Sequence, residues 1–247
     1  RKKAEGSDVL VGTHALLSQK LDTKDIGLVV VDEQQRFGVE QRTVLRNRAK
    51  VPHFLTMTAT PIPRTVALTL YGDLDLSIID EMPKGRPKVK TYLVPEKKRN
   101  DGYKFIEKKI RAGDQAYIIT PFIEPSETLT TVKAVKVEYE RLKKIFTNLK
   151  LSLLHGRMKS RDKEQVLKGF KVGEVQILVS TSVVEVGMDI PNATIMVIEG
   201  AERFGLSQLH QLRGRIGRGT KTSYCLLYTS DPSADRRRLK HMETTFD

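Results

Sequence analysis

Cysteine and tryptophan are almost missing from this sequence of 247 residues, which contains one cysteine and no tryptophan. A single cysteine excludes a disulfide within the chain, and it cannot form a zinc site by itself. Cys225 lies in the run SYCLLY, which predicts a buried strand. We therefore expect Cys225 to be a small core residue and not a nucleophile.

Long apolar runs are missing as well. None approaches the ~20 residues of a membrane-spanning helix, and no signal-peptide core follows the initial Arg1, Lys2 and Lys3. We therefore expect a cytoplasmic protein with no membrane partner.

Negative charge is in short supply, because 43 lysines and arginines face only 30 acids and the formal net charge is +13. Such an excess favours a polyanionic partner. Nucleic acid is the first candidate and an anionic membrane surface the second. The length suffices for two compact domains, each with its own core.

A phosphate-binding loop of the pattern G-x-x-x-x-G-K-[ST] does not occur in the sequence. In proteins that have this loop, its backbone amides and lysine hold the β- and γ-phosphates of a nucleotide. The chain starts with RKKAEG, without a methionine, and stops at METTFD without a helix cap. We expect it to be a piece of a longer protein.

The run IGLVVVDEQQ at residues 26–35 joins continuous β-branched and apolar residues to two acids and two amides. It predicts a central parallel strand that is buried on both faces. Asp32 and Glu33 would emerge at its carboxyl end, where open α/β sheets bind ligands, and paired carboxylates there suit Mg²⁺ held against nucleotide phosphates. Taken alone, the pattern is more often a buried strand followed by an acidic turn.

A second stretch, QLHQLRGRIGRG at residues 208–219, interleaves arginines with glycines. Glycine permits close backbone approach, and the planar guanidinium group fits phosphate oxygens. The helical QLHQL run beside this spacing favours a helix end that faces phosphate, with a solvated basic turn or a nucleic-acid patch as alternatives. Two other basic runs, 143–144 and 236–238, are predicted to be solvated faces.

Strand and helix signals alternate along the rest of the chain. The predicted strands are 8–11, 53–58, 75–80, 89–94, 115–119, 150–154, 175–180, 193–199 and 224–228. The predicted helices are 38–49, 63–70, 101–112, 129–146, 161–170 and 206–213. This order predicts an α/β fold with a three-layered parallel sheet. The run EMPKGRP at 81–87, with two prolines and a glycine, predicts a domain boundary.

These motifs resemble those of superfamily 2 helicases. DEQQ at 32–35 resembles their DExx box, and QLRGRIGR at 211–218 resembles their arginine-finger motif. Further matches stand in the family's order, namely GTH at 12–14, TAT at 58–60, HGR at 155–157, ST at 180–181 and EVGMD at 185–189. Three longer stretches of the sequence resemble the RecG family of bacterial branched-DNA translocases. They are DEQQRFGVEQR, TATPIPRTVALTLYGDLDLSIIDEMPKGR and ERFGLSQLHQLRGRIGRG.

The resemblance implies an α/β chain of two RecA-like parallel-sheet lobes, the first one partial, in a P-loop NTPase helicase architecture. It places the end of motor lobe 1 at 1–80, a linker at 81–87, motor lobe 2 at 88–230 and the start of a C-terminal helical segment at 231–247. The phosphate-binding loop and a wedge domain are then expected upstream of Arg1.

The resemblance also implies an ATP-dependent DNA helicase that acts on forked or branched DNA, such as replication forks and Holliday junctions, in recombination and repair. ATP and Mg²⁺ would be its cofactors. The protein would be a monomer in the bacterial cytoplasm, associated with the nucleoid, and this chain alone would be inactive. The alternatives are a basic nucleic-acid-binding module without catalysis and the motor of a transcription-repair coupling factor.

Individual roles also follow only from the resemblance. Catalysis falls on Asp32, Glu33, Arg215 and Arg218, and Asp32 and Glu33 would hold Mg²⁺ in the presence of nucleotide. ATP binding and coupling fall on Gln34, Gln35, Glu185, Gly187, Asp189 and Gln211. Contacts to the DNA backbone fall on Gly12, Thr13, Thr58, Thr60, His155, Gly156 and Thr181.

Gln35 departs from the family, where this position often carries histidine. Glutamine donates and accepts hydrogen bonds but cannot take up a proton. We therefore expect the coupling between ATP and DNA to be tuned differently, while hydrolysis by Asp32 and Glu33 is unaffected.

Overall fold

The computed structural model describes residues 7–13, 26–32, 53–58, 75–79, 81, 85–121, 128–181, 190–229 and 236–244. The chain divides into two compact units, Arg1–Leu76 and Ser77–Asp247. The division lies a few residues before the linker that the sequence predicts at 81–87.

The first unit contains two parallel strands, β1 (Leu28–Val31) and β2 (His53–Thr56). Both were predicted, with longer bounds. The prediction that β1 is buried on both faces is wrong, since Leu28 is 57% and Val30 51% exposed. Side chains alternate between the faces of a sheet. Val31 is buried on one face, whereas the described residues leave the other face open.

Two further strand predictions in this region are wrong. Residues 7–13 and 75–79 are not paired into a sheet, and Val9, Val11 and Ile79 are exposed. Apolar, β-branched residues favour a strand, but a strand also needs a neighbour that satisfies its backbone groups. The helices predicted at 38–49 and 63–70 lie outside the described residues.

The second unit is built on a sheet of six strands, and every strand predicted for it is present. The pairings are all parallel, in the order β3-β8-β7-β4-β6-β5. The strands are β3 (Lys90–Val94), β4 (Gln115–Thr120), β5 (Leu151–Leu154), β6 (Ile177–Thr181), β7 (Ala193–Ile198) and β8 (Tyr224–Tyr228). β4, β6 and β7 are buried along their whole length.

Four helices of this unit lie close to their predicted bounds, and a fifth lies within 231–247, where the resemblance implies the start of a helical segment. They are α1 (Arg99–Arg111), α2 (Thr128–Ile145), α3 (Ser160–Lys171), α4 (Leu206–Arg213) and α5 (Arg236–Thr244), with short 3-10 turns at Glu96–Lys98 and Ala201–Arg203. None of the helices in the described ranges is long and apolar enough to cross a membrane.

Two apolar clusters, one on each face of the sheet, form the core. The cluster under α1 and α2 includes Ile106, Leu142 and Ile118. The cluster under α3, α4 and α5 includes Phe170, Leu209, Leu239 and Ile119. Ile118 and Ile119 are successive residues of β4 and point to opposite faces. The predicted three-layered sheet is therefore confirmed, and Cys225 is a buried core residue as predicted.

One prediction about surface charge is wrong. Arg238, predicted to belong to a solvated run, is half-buried, and its Nη2 donates a hydrogen bond to the carbonyl oxygen of Glu202 at 2.7 Å. Lys143 is exposed, as predicted. The difference arises because α5 packs against the sheet, so one side of the basic run faces the protein.

Because all six strands run in the same direction, their ends form two distinct surfaces. The carboxyl end of the sheet consists of the residues that end or follow the strands, among them His155, Thr181 and Glu199. The amino end consists of the residues that precede the strands, among them Val89 and Ser223. The predicted site residues of this unit are divided between these two surfaces.

Candidate functional site

The glycine-rich segment 214–219 connects α4 to β8, and we call it the arginine turn. It lies at the amino end of the sheet. A Cβ atom built on Gly217 would lie 2.9 Å from Val89 Cγ2 and 3.8 Å from Ser223 Cβ, and these residues precede β3 and β8. A Cβ atom built on Gly219 would lie 3.2 Å from the carbonyl oxygen of Pro191, shortly before β7.

The conformation of the arginine turn depends on glycine. Gly217 has a φ angle of 72°, in the left-handed region, and its neighbours leave no room for a side chain. Ile216 is fully buried beside it. The backbone N–H groups of Arg215 and Ile216 donate to the carbonyl oxygens of Leu212 and Arg213 at 3.0 and 3.1 Å. The turn is therefore tightly fixed to the sheet.

The turn is also held from outside by Arg86. Its Nε donates to the carbonyl oxygen of Gly217 at 2.7 Å, and its Nη2 donates to the carbonyl oxygen of Ile216 at 3.3 Å. Arg86 lies in the segment predicted to be a linker. The sequence carries no local signal for this contact, because the partners are 131 and 130 positions apart.

The three arginines of the motif have different environments. Arg213 is only 2% exposed. Its Nη1 donates to the carbonyl oxygen of Met242 at 2.9 Å, and its Nη2 lies 3.0 Å from His210 Nδ1. Arg213 therefore ties α4 to α5 and is not available to a ligand.

Arg215 and Arg218 differ from Arg213 because they reach the surface. Arg215 is half-buried and Arg218 is exposed. Arg218 Nε donates to the carbonyl oxygen of Gly214 at 3.5 Å, a distance typical of a weak hydrogen bond. Gln211 is half-buried in the last turn of α4, just before this pair. The two arginines predicted to be catalytic are thus the two that the fold leaves accessible.

The carboxyl end of the sheet brings together two residues predicted to contact DNA. His155 follows β5, and Thr181 is the last residue of β6. Leu154 is paired with Ser180, so His155 and Thr181 are neighbours across the two strands. Thr181 Oγ1 and His155 Nδ1 are both buried, and neither has a hydrogen-bond partner in the described part of the chain.

Positive charge surrounds this pair. Burial lowers the pKa of His155 from its usual value, and the charges of Lys136, Lys163 and Arg157 lower the pKa further. Lys163 Nζ donates to the carbonyl oxygen of the exposed Gly156 at 2.6 Å. The three cations were not predicted as site residues, since they come from α2, the loop after β5 and α3. Together they form a surface suited to phosphate.

A buried ionic network lies at the same end of the sheet, beyond β7. Glu199 forms an ion pair with Arg99, and Arg141 Nη2 lies 3.9 Å from its Oε1. The Tyr103 hydroxyl accepts hydrogen bonds from Arg99 Nε at 2.8 Å and from Arg141 Nη2 at 2.6 Å. Burial raises the pKa of Glu199, and Arg99 opposes that rise. The network links α1 and α2 to the end of β7.

Three residues predicted to couple the nucleotide to the motor lie outside the described residues, namely Glu185, Gly187 and Asp189. The segment that contains them starts after Thr181, at the carboxyl end of the sheet. It is followed by Ile190 and Pro191, which precede β7 at the amino end.

The first unit contains the other predicted residues. Asp32 follows β1 and is exposed, and Thr58, just after β2, is exposed too. The backbone N–H of Met57 donates to the carbonyl oxygen of Val31 at 2.8 Å, so Asp32 and Thr58 lie at the same end of the strand pair. Gly12 and Thr13 are exposed in an unpaired segment. Glu33, Gln34, Gln35 and Thr60 lie outside the described residues.

The helicase conserved C-terminal domain family matches residues 97–220, and the DEAD/DEAH box helicase family matches residues 1–69. The chain belongs to the helicase family that carries this conserved C-terminal domain.

Among individual proteins, the chain is similar to the ATP-dependent DNA helicase RecG of Synechocystis, with 54% identity over 97% of this chain and 29% of that protein. It is 51% identical to the ATP-dependent DNA helicase RecG of Bacillus subtilis, over 97% of this chain and 35% of that protein. The chain therefore spans about a third of the length of these relatives.

Solved structures support the same fold. A structure of RecG bound to a three-way DNA junction is 45% identical, with a TM-score of 0.77, and covers 97% of this chain and 31% of that one. Saccharomyces cerevisiae Dbp5 bound to RNA and ADP BeF3 is 17% identical with a TM-score of 0.62, over 90% and 57% of the chains. The second likeness shows the fold alone. The predicted RecA-like α/β fold is confirmed.

Proposed function

We propose that this chain is part of an ATP-driven DNA helicase in which the arginine turn stabilises the γ-phosphoryl group of ATP during hydrolysis. The observation that carries the proposal is the contrast among the three arginines. Arg213 is buried and bonded, whereas Arg215 and Arg218 project from a turn that is fixed by glycine contacts and backbone hydrogen bonds. Preorganised cations of this kind are effective where charge develops in a transition state.

The nucleotide's metal ion would be held by Asp32 and Glu33. The carboxylate of Asp32 is exposed at the end of a parallel strand, and it is the hard oxygen ligand that Mg²⁺ prefers. When bound, Mg²⁺ would offset the negative charge of the nucleotide's phosphates. Glu33 would orient the attacking water. Gln34, Gln35, Gln211, Glu185, Gly187 and Asp189 would couple the nucleotide to the rest of the motor.

DNA would be held through its phosphates at the carboxyl end of the sheet. The unpartnered atoms of His155 and Thr181 and the charges of Lys136, Arg157 and Lys163 support this assignment. Gly12, Thr13, Thr58, Thr60 and Gly156 would add backbone contacts. Such contacts carry no base information and weaken as salt rises.

We propose forked or branched DNA as the substrate, since the relatives are RecG helicases and one structure is bound to a three-way junction.

Further proposals concern the oligomeric state, the location and the activity of the isolated chain. We propose a monomer in the bacterial cytoplasm that associates with the nucleoid. We also propose that this chain alone hydrolyses ATP no faster than background, because its sequence has no phosphate-binding loop. A second candidate is a basic nucleic-acid module without catalysis, which the net charge of +13 favours.

Arg218→Lys in the full-length protein separates the two candidates. Lysine keeps the charge but loses the planar fork. Arginine fingers are worth ~10³ to 10⁵ in turnover, so we expect at least a ~10²-fold lower kcat with DNA affinity changed less than about tenfold. Arg111→Lys, at an exposed arginine on α1, is the matched control. Near-normal turnover combined with much weaker DNA binding would favour the non-catalytic module.

A further inference from the structure

We propose that Arg86 is a positioning residue that fixes Arg215 and Arg218 for catalysis. The proposal rests on the proposed function, in which these two arginines act on the γ-phosphoryl group. Arg86 does not belong to the arginine motif and precedes β3, yet its guanidinium group donates to the carbonyl oxygens of Gly217 at 2.7 Å and Ile216 at 3.3 Å.

The two hydrogen bonds reach the middle of the arginine turn. Ile216 and Gly217 are the residues between Arg215 and Arg218, so Arg86 holds two of the three peptide groups that connect the two arginines. The five N–H donors of a guanidinium group lie in one plane with a fixed geometry, so two bonds from it fix the orientation of the turn as well as its position. Bonds from a charged donor are also stronger than bonds between neutral groups.

The turn needs such support because the helical type of backbone hydrogen bond reaches Ile216 and is not observed beyond it in the described part of the turn. Helix α4 ends at Arg213, and Gly217 adopts a left-handed φ angle of 72°. The side chain of Arg218 adds little restraint, since it is exposed and its hydrogen bond to Gly214 measures 3.5 Å. The direction in which Arg218 leaves the turn is therefore set by the backbone at 216–217, where Arg86 binds.

Charge alone does not explain the presence of Arg86 at this place. Arg86 adds a cation to the backbone of a turn that already carries Arg215 and Arg218, and like charges repel one another. The hydrogen bonds to the two carbonyl oxygens offset that repulsion. Lysine at position 86 would keep the cation but could not reproduce two bonds in a fixed plane. A lysine substitution therefore separates the geometric role from the charge.

The test uses the full-length protein with saturating branched DNA. We expect Arg86→Ala to lower kcat by about 10- to 10²-fold, since a displacement of about 1 Å can cost that much. The KM for ATP, the DNA affinity and the melting temperature should stay near those of the parent. Arg86→Lys should fall between the parent and Arg86→Ala. Arg111→Ala, an exposed arginine of α1 with a side-chain exposure of 64%, is the control.

A double variant shows whether Arg86 acts through the finger. If it does, Arg86→Ala should cause little further loss of kcat in an Arg218→Ala background, because residues that act as a unit are not additive. If the fold-losses of kcat from the two single variants multiply in the double variant, the proposal is overturned. A normal kcat in Arg86→Ala would also overturn it.

Different results would overturn the proposed function and the positioning role of Arg86. A normal kcat in Arg218→Ala would overturn the proposed function itself. A low kcat in Arg218→Ala with a normal kcat in Arg86→Ala would overturn only the role of Arg86. Should Arg86→Ala fail to fold, the folded Arg86→Lys variant decides, since a normal kcat there also overturns the role.

Discussion

The arginine turn at the amino end of the six-stranded sheet and the pair His155 and Thr181 at its carboxyl end differ in how far their polar groups are already satisfied. At the amino end, the arginine turn is held by backbone hydrogen bonds, by Arg86 and by glycine contacts with Val89 and Pro191. At the carboxyl end, His155 Nδ1 and Thr181 Oγ1 are buried and have no partner among the described residues. The arginine turn is organised in advance, whereas the pair His155 and Thr181 still lacks hydrogen-bond partners.

This difference matches the two tasks that we propose. Stabilising a transition state requires donors that do not move during the reaction. Holding DNA requires polar groups that gain partners when the strand arrives, and a buried polar group without a partner costs about 1–3 kcal/mol. Strand β6 has five residues, so at a rise of about 3.3 Å per residue its first and last Cα atoms are about 13 Å apart.

The largest effect on stability is expected at the amino end of the sheet, where Arg213 is compared with Arg215. Arg213→Ala should lower the free energy of unfolding by about 3 kcal/mol, because it removes a buried, hydrogen-bonded charge and leaves a cavity. Arg215→Ala should change that energy by less than about 0.5 kcal/mol. Urea unfolding of both variants checks this. Equal losses would mean that Arg213 and Arg215 have the same structural role.

An intermediate effect is expected at the carboxyl end. Thr181→Val removes the unpartnered hydroxyl and keeps the shape of the side chain, so it should lower DNA affinity by about tenfold, or about 1.4 kcal/mol. The free energy of unfolding should not fall, since no protein hydrogen bond is lost. The kcat at saturating DNA should also stay unchanged.

Thr194→Val is the matched control for that experiment. Thr194 is buried and its hydroxyl has no partner within the described ranges, but it lies near the start of β7, at the other end of the sheet. Fluorescence titration with labelled forked DNA measures both variants. If Thr194→Val weakens binding as much as Thr181→Val does, the two ends do not differ in the way proposed.

The smallest effect concerns pH. The pKa of His155 in the free protein lies below its usual value of 6.5. A phosphate group nearby would raise that pKa, so DNA binding would take up a proton, and affinity should rise as the pH falls below about 7. We expect about a two- to fivefold rise between pH 7.5 and 6 at constant salt. The slope should be smaller in His155→Gln, and an unchanged slope would exclude His155 from the contact.

Much of the second unit could be predicted from the sequence. Runs such as QAYIIT in β4 and ATIMVI in β7 are buried along their whole length, and continuous apolar runs between turn signals are typical of central parallel strands. The same reasoning was wrong for the burial of β1. An apolar run shows that side chains such as Leu28 and Val30 favour burial, but it does not show which neighbouring element covers them.

The candidate site was harder to predict because its contacts are long-range. The spacing of the arginine motif treats Arg213, Arg215 and Arg218 alike, and only the packing of α5 against α4 separates the buried one from the others. The adjacency of His155 and Thr181 depends on the register of β5 and β6. Arg86 reaches the arginine turn across more than half of the chain. None of these long-range contacts produces a recognisable pattern in the local sequence.

In the proposed motor, the two ends of one sheet carry separate functions. Measuring kcat and DNA affinity for Arg218→Lys and Thr181→Val in parallel, in the full-length protein, tests this claim. We expect Arg218→Lys to lower kcat by at least ~10²-fold with little change in affinity, and Thr181→Val to lower affinity about tenfold with kcat at saturating DNA unchanged. If each variant changes both quantities to a similar extent, or if the two effects are exchanged, the claim is contradicted.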